Sequence, residues 1–454
     1  MESYRARVVE TLPLSSPQER RSLIEEAEFN LYRVSSAAVT IDLLTDSGLC
    51  ALSADQLAAM MRADESYAGS ASYQRFESVI RDVFGFSHIL PTHQGRAAER
   101  LLIQCLAHAG DVVPGNMHFD TTRANLTSLG VEPVDLPDES FWSFDRPLPF
   151  KGNMNADALE DLLSGPMRAR IPFILLTVTN NLCGDQPVSL KNMQRISGIA
   201  KAHGVPLYLD ACRFAQNAWF VREREEEYAR ATLVSIVHAM FELADGCIFS
   251  AKKDGLAHMG GFLATRSKIV ADRARELLVL QEGYTTYGGI TGRDLEAIAI
   301  GVREAVTDAY LADRIGITEY LFRRLIGFGL PALQPAGGHA VYLDACRMLP
   351  HLCSEDHPAQ VFAVELFVQS GIRTTRLCLK KPSSPHGGTS VELLRLAIPA
   401  RVYTRSQLDY VADAVRAVFV KASELQGLRL LEAPALLGGF LARYQRAVGE
   451  LSAV

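Results

Sequence analysis

The chain has eight cysteines but no C-x-x-C pair, and no His/Cys cluster at metal-ligand spacing. That argues against a structural zinc site. The scattered cysteines, most in apolar surroundings as Cys105 and Cys247 are, read as reduced core residues of a cytoplasmic protein. Positive charge is not in excess: 46 Lys+Arg against 52 Asp+Glu give a net charge of −6, which offers no basic field for nucleic acid. No apolar run approaches the roughly 20 residues that cross a bilayer, and Met1 to Glu25 is polar, so neither a membrane span nor a secretion signal is expected. Internal repeats and low-complexity tracts are also missing. What remains is an ordinary globular composition, 48% hydrophobic and 22% charged over 454 residues, enough for a large core and two domains.

A helix is expected near residues 18–31, with Ser22 as a possible cap, and another over 54–62 behind Ser53. From about 85 to 265 the pattern alternates. Ser87–Pro91 is a strand, Ala97–His108 an amphipathic helix, Asp111–Pro114 a strand. Ile171–Val178 is an apolar run too continuous for a solvated sheet. Leu190–His203 is a helix capped by Gly204, Val205–Asp210 a buried strand, and Ala244–Phe249 another. This predicts an α/β domain with a mostly parallel sheet. After about residue 300 the texture is α+β. A long helix Glu304–Leu325 and a helix Pro358–Ser370 accompany strands at Ala340–Asp344 and Leu393–Ile398, and Lys380–Thr389 reads as a loop.

The chemistry gathers at expected strand ends, where open α/β sheets bind ligands. Ser250-Ala251-Lys252-Lys253-Asp254 sets two lysines at the end of a buried strand, and Leu207-Tyr208-Leu209-Asp210 ends on a carboxylate. This pairing is how pyridoxal 5'-phosphate (PLP) enzymes hold their cofactor: a lysine forms the imine and an aspartate pairs with the ring nitrogen. Thr92-His93-Gln94-Gly95-Arg96 follows a strand and opens a helix, which suits phosphate, with Arg96, Ser250 and Lys252 as further contacts. Lys253 is the candidate imine lysine, Asp210 the ring-nitrogen partner and Phe119 a candidate for stacking on the ring.

These segments, with Leu44-Thr45-Asp46-Ser47-Gly48, Asp64-Glu65-Ser66-Tyr67, Pro149-Phe150-Lys151-Gly152-Asn153, Thr179-Asn180-Asn181, Gln186-Pro187-Val188-Ser189, Thr286-Tyr287-Gly288-Gly289, Ala336-Gly337-Gly338-His339-Ala340 and Leu394-Arg395-Leu396-Ala397-Ile398-Pro399, make the chain resemble the tryptophanase/tyrosine phenol-lyase (β-eliminating lyase) family. The likeness runs from about residue 18 onward and leans overall to tyrosine phenol-lyase. It implies the aspartate-aminotransferase type of fold (PLP fold type I). Residues 45–305 would form the large PLP-binding domain, and 1–44 with 306–454 the small one. By resemblance, Gln94, Gly95, Arg96, Ser250 and Lys252 bind phosphate, Asn181 contacts the ring hydroxyl, and Arg213 lies near the imine side. Thr45 and Arg395 hold the substrate carboxylate, and Tyr67 protonates the leaving group. Glu65, Gly48 and His258 bind a monovalent cation, normally potassium. A homotetramer is implied. The reaction implied is β-elimination from an aromatic L-amino acid to pyruvate, ammonia and the freed side chain.

The side-chain pocket departs from the family pattern. Asp120 is the tryptophanase choice where tyrosine phenol-lyases use threonine. Leu377 falls where the latter carry an arginine, and a one-residue gap would put Arg376 there instead. Gly439 replaces the Phe or His that closes over the substrate, so an open wall is expected. A β-lyase acting on a modified substrate such as an S-substituted cysteine, an aminotransferase or aldolase on the same fold, and a PLP-binding protein without turnover are the other readings.

Overall fold

Ile174–Thr177 is buried at every position, which is possible only for a strand covered on both faces. The computed structural model, which describes residues 2–6, 8–380 and 390–447, places it inside a sheet, with strands on both sides. The strands are β1 (Ile41–Asp42), β2 (His88–Thr92), β3 (Val112–Gly115), β4 (Glu132–Asp135), β5 (Ile174–Thr177), β6 (Leu207–Asp210), β7 (Gly246–Ser250) and β8 (Gly261–Thr265). Strands β2 to β8 form a seven-stranded sheet in the order β2-β8-β7-β6-β5-β3-β4. Its members are parallel except β8, which runs antiparallel to both β2 and β7. The register sets Thr177 beside Asp210 and Asp210 beside Ile248, so the carboxyl ends of β5, β6 and β7 open on one side.

After residue 330 come β9 (Ala340–Asp344), β10 (Ile372–Arg373), β11 (Thr375–Lys380), β12 (Ser390–Ala397), β13 (Leu428–Glu432) and β14 (Arg443–Arg446). Strands β11, β12 and β9 make an antiparallel sheet, and β10 pairs in parallel with β1. The apolar interior divides accordingly. One cluster surrounds the large sheet. Another joins residues 24–43 to the α+β part through Ile24, Ile41, Leu321, Phe362 and Leu408. The helix Asp308–Gly327 belongs to both, giving Leu311 to the first and Leu321 to the second.

Three expectations change. The first helix is Pro17–Glu26, and its cap is Ser16, not Ser22. Ser16 accepts from the Glu19 N–H while Glu19 returns a bond, and Pro17 fits the first turn. The segment Glu304–Leu325 is two helices, Gly292–Ala305 and Asp308–Gly327. Thr307 is extended at the break, and its hydroxyl donates to the Glu304 carbonyl at 2.7 Å. The expected loop Lys380–Thr389 loses Lys380 to β11, and residues 381–389 lie outside the described residues. The helix Leu190–Ala202 does end before Gly204, whose φ of +59° needs glycine's freedom. Among the described residues no helix is long and apolar enough to cross a membrane.

Candidate active site

Two carboxyl ends supply the pocket's polar centre. Asp210 closes β6 and is buried, and its Oδ1 accepts the Cys212 N–H at 3.2 Å. Ser250 closes β7, and Lys252 and Lys253 follow in the turn. That turn is fixed from behind by Asp254, fully buried, which accepts from Ala215 N–H at 2.9 Å and the Gln216 side chain at 2.6 Å. Burial pushes the Asp254 carboxyl up to about 6 despite these bonds. Burial, Lys253 and Arg96 together lower the Lys252 ammonium below the ordinary lysine value.

The helix Gly95–Leu106 starts at the same place. Gln94 occupies its cap position without a side-chain capping bond, leaving the helix start open toward the pocket. At Gly95 a Cβ would stand 2.5 Å from Ser250 Cβ, so only glycine lets the helix approach β7 this closely. An uncapped helix N-terminus flanked by Arg96, Ser250 and Lys252 is an anion cradle, and it fits the phosphate of PLP.

A single cavity of about 320 Å³ takes in Gln94, Gly95, Arg96, Ser250, Lys252 and Lys253 at this end. Phe119, Asn181, Asp210, Arg213, Thr45 and Arg395 line the same cavity. Arg395 is 8% exposed; Nη2 donates to the Leu44 carbonyl at 3.0 Å and Nη1 to Asn181 Oδ1 at 3.3 Å. Its Nε is buried without a partner, an open donor for a carboxylate. Tyr342 donates to Asn181 Oδ1 at 2.8 Å, which turns the amide nitrogen of Asn181 away from Tyr342. Arg213 is held in a two-bond pair with Asp46, at 2.8 Å for Nη2–Oδ1 and 3.1 Å for Nε–Oδ2. Burial raises the Asp46 carboxyl, but Arg213, then His339, overcomes it and holds the group well below the carboxylate range.

Seven further candidates stand elsewhere. Tyr67 is 70% exposed, its ring 5.4 Å from Tyr284 and 5.6 Å from Tyr287, outside the cavity. Glu65 accepts the Gly292 N–H at 3.0 Å, at the start of the helix Gly292–Ala305. Gly48 and His258 do come together: a Cβ at Gly48 would lie 2.9 Å from the His258 carbonyl oxygen. Among the described residues no group of three or more His, Cys, Asp or Glu could hold a metal ion. Asp120 opens the helix Asp120–Ser128 beside Phe119 and is exposed. Arg376 and Leu377 are neighbours on β11 and so face opposite ways. Leu377 packs with Met117 and Leu182, two cavity residues, whereas Arg376 pairs with Glu392 at 3.0 Å away from the cavity.

The wall that Gly439 was expected to open is supplied by the next residue. Phe440 lines the cavity with its ring 5.1 Å from Tyr32, and a Cβ at Gly439 would meet nothing within 4 Å. Asn30 fixes Phe440 by donating to its carbonyl at 3.0 Å and to the Ala442 carbonyl at 2.8 Å.

Glu99 was not singled out from the sequence. One turn beyond Gly95, it lines the cavity at 7% exposure and accepts from Thr122 at 2.6 Å and Asn125 at 3.1 Å. Burial, reinforced by Asp210, raises its carboxyl from 4.5 to about 7. The folded chain therefore binds the proton more tightly than the unfolded one. That stability is present below pH 4.5 and is lost as pH rises to about 7, by about 3 kcal/mol in all. In cofactor-free protein, Glu99→Gln is expected to remove this fall. Chemical denaturation of both proteins across pH 5 to 8 checks it.

Strand order, the cradle at a helix start and the strand-end lysine define a PLP-dependent enzyme of fold type I. Solved structures agree on the fold. A structure described as SPT with PLP internal aldimine superposes with a TM-score of 0.60 at 16% identity, covering 89% of this chain and 96% of that one. A Sphingomonas wittichii serine palmitoyltransferase gives 0.59 at 14% identity, over 90% and 97%. The family model described as Beta-eliminating lyase matches residues 42–414. The chain is 47% identical to a tryptophanase of Salinibacter ruber over 97% of its length and 94% of the relative's. It is 44% identical to a tryptophanase of Hyphomonas neptunium, over 98% and 99%. It is 41% identical to a tyrosine phenol-lyase of Pasteurella multocida, over 98% of each. The chain belongs to the β-eliminating lyase family.

Proposed function

We propose that this lyase cleaves an aromatic L-amino acid to pyruvate, ammonia and the protonated side chain, with one water consumed. The observation that carries the reading is the convergence of Lys253, Asp210 and Arg395 on one cavity beside the anion cradle. PLP, when bound, supplies an electron sink for the pair left at Cα. Arg395 and Thr45 hold the substrate carboxylate. The Lys253 amine removes the Cα proton, and Asp210 keeps a proton on the ring nitrogen. Phe119 would cover the ring, Asn181 would bond its hydroxyl, and Arg213 would stand on the imine side. The Cβ bond then breaks with a proton delivered to the leaving group, a carbon that departs poorly without one. Asp120, between the cavity residues Phe119 and Thr121, and the apolar Leu377 favour a side chain of the indole type. A panel of β-substituted L-alanines scored by pyruvate tests the reading; transamination or retro-aldol products without pyruvate would sink it.

Tyr67, our proposed acid, is too exposed to serve the cavity of its own chain. We therefore assign it to the cavity of a second copy in a homotetramer. Glu65, two residues before it, would complete a potassium site with the Gly48 and His258 carbonyls in the same way. Mixing inactive Tyr67→Phe with inactive Lys253→Ala, after dissociation and reassembly, is expected to restore pyruvate release that neither has alone. If mixing restores nothing, Tyr67 does not act across subunits. We assign residues 45–305 to a large domain and 1–44 with 306–454 to a small one, in a cytoplasmic protein.

A further inference from the structure

Asp185 sits at an unusual place. Its φ is +59°, in the left-handed region, and it is fully buried. Aspartate tolerates that backbone better than most side chains, but a buried ionised carboxylate needs partners. It has them. Its Oδ1 accepts from Thr179 at 2.6 Å, and its Oδ2 accepts the His339 N–H and lies 2.6 Å from His339 Nδ1. The opposite ring nitrogen, Nε2, faces Asp46 Oδ1 at 3.9 Å, and the imidazole is fully buried. Asp46 in turn grips Arg213 through Nε and Nη2, a pair in which Nη1 takes no part. Gly337 is packed so closely on Asp185 that a Cβ there would lie 2.7 Å from Asp185 Cβ.

The result is a row of buried polar groups, Thr179–Asp185–His339–Asp46–Arg213, beside the cavity, in which the His339–Asp46 step is a packing contact at 3.9 Å and not a hydrogen bond. Both of its ends and Asp46 line that cavity; Asp185 and His339 do not. Burial, then Arg213, lowers the His339 pKa, and the carboxylates of Asp185 and Asp46 act against them. Arg314 adds positive charge near Asp46, and Tyr342 lies close to Asp185. Neither ring nitrogen of His339 makes a hydrogen bond of good geometry, so the buried imidazole is wedged between Asp185 and Asp46 by contact.

We propose that Asp185 and His339 are positioning residues for Arg213: Asp185 pins the imidazole, the imidazole packs against Asp46, and together they limit where Asp46 and the guanidinium it grips can sit, with Nη1 left outside that pair. This rests on the proposed function only in placing Arg213 beside those atoms. A protonated His339 would compete with Arg213 for Asp46 and loosen the clamp, so the chain also carries a dependence on acid.

The test compares Asp185→Gly, Asp185→Asn and Arg213→Lys, with Asp185→Gly also made in the Arg213→Lys background. Glycine suits φ +59°, so Asp185→Gly is expected to fold and keep its cofactor absorbance. Its kcat is expected to fall about tenfold with KM little changed, and the acid limb of its pH profile to move. Asp185→Asn, which keeps the acceptor oxygen, should recover part of the rate. In the Arg213→Lys background, Asp185→Gly should have little further effect. The same cycle read on thermal unfolding of cofactor-free protein should show coupling between positions 185 and 213. Wild-type kcat and pH profile in Asp185→Gly, or additive effects in both cycles, would overturn the proposal. Should no amino acid yield pyruvate, the functional reading fails, and the unfolding cycle alone decides this one.

Discussion

Lys253→Ala is expected to abolish pyruvate release, by about 10³-fold or more, while leaving the fold intact. The side chain stands at the cavity in a turn held by backbone bonds, Lys253 N–H to the Ser250 carbonyl at 3.3 Å and Leu256 N–H to the Lys253 carbonyl at 2.9 Å. Alanine keeps both bonds and removes only the amine. The protein should therefore unfold at the wild-type temperature and still take up PLP through the cradle around Gly95, without the absorbance of a lysine-linked cofactor. Lys252→Ala is the contrasting variant. Loss of the Lys252 ammonium weakens the grip on phosphate, so affinity for cofactor should fall and activity should return at high PLP concentration. Equal, irreversible losses in both variants would mean that the two lysines do not divide the work as argued.

The second large effect is expected at Arg395. A carboxylate held by a guanidinium in two parallel bonds is worth several times a neutral hydrogen bond, and lysine cannot reproduce that fork. Arg395→Lys should lower kcat/KM by about 10²-fold, most of it as a raised KM, because the carboxylate is held equally before and during bond breaking. Cofactor affinity should change less than KM, since Arg395 bonds Asn181 and the Leu44 carbonyl but no residue of the phosphate cradle. Steady-state kinetics with the best substrate of the panel separate the two parameters. A fall confined to kcat would place the carboxylate elsewhere.

The cofactor half of the cavity was legible in the sequence because it is local. Thr92–Arg96 and Ser250–Lys253 are short segments at the ends of strands, and their neighbourhood follows from the alternation of strand and helix. The substrate half was not, because it depends on registers between segments far apart. Leu377 and Arg376 could not be separated until β11 was paired with β12 and one side chain went to each face. Phe440 was passed over for Gly439, since sequence spacing cannot say which of two adjacent residues a four-residue helix turns inward. Asp46 and His339 stood within recognised segments, but their partnership with Asp185 and Arg213 spans distances no pattern reports. Glu99 does carry a sequence signal: it lies one turn after Gly95 on the apolar face of its helix, where a carboxylate needs polar partners, here Thr122 and Asn125.

The order of the cavity's parts along the chain has a consequence for synthesis. The residues we propose for the cradle, the ring-nitrogen partner and the imine all lie between Gln94 and Lys253, around the large sheet, and domains tend to fold as they emerge from the ribosome. Arg395 and Phe440 come some hundred and forty residues and more after Lys253. The nascent protein thus acquires the means to hold its cofactor well before it can hold an amino acid, and a half-made chain that captures PLP has nothing yet to react it with.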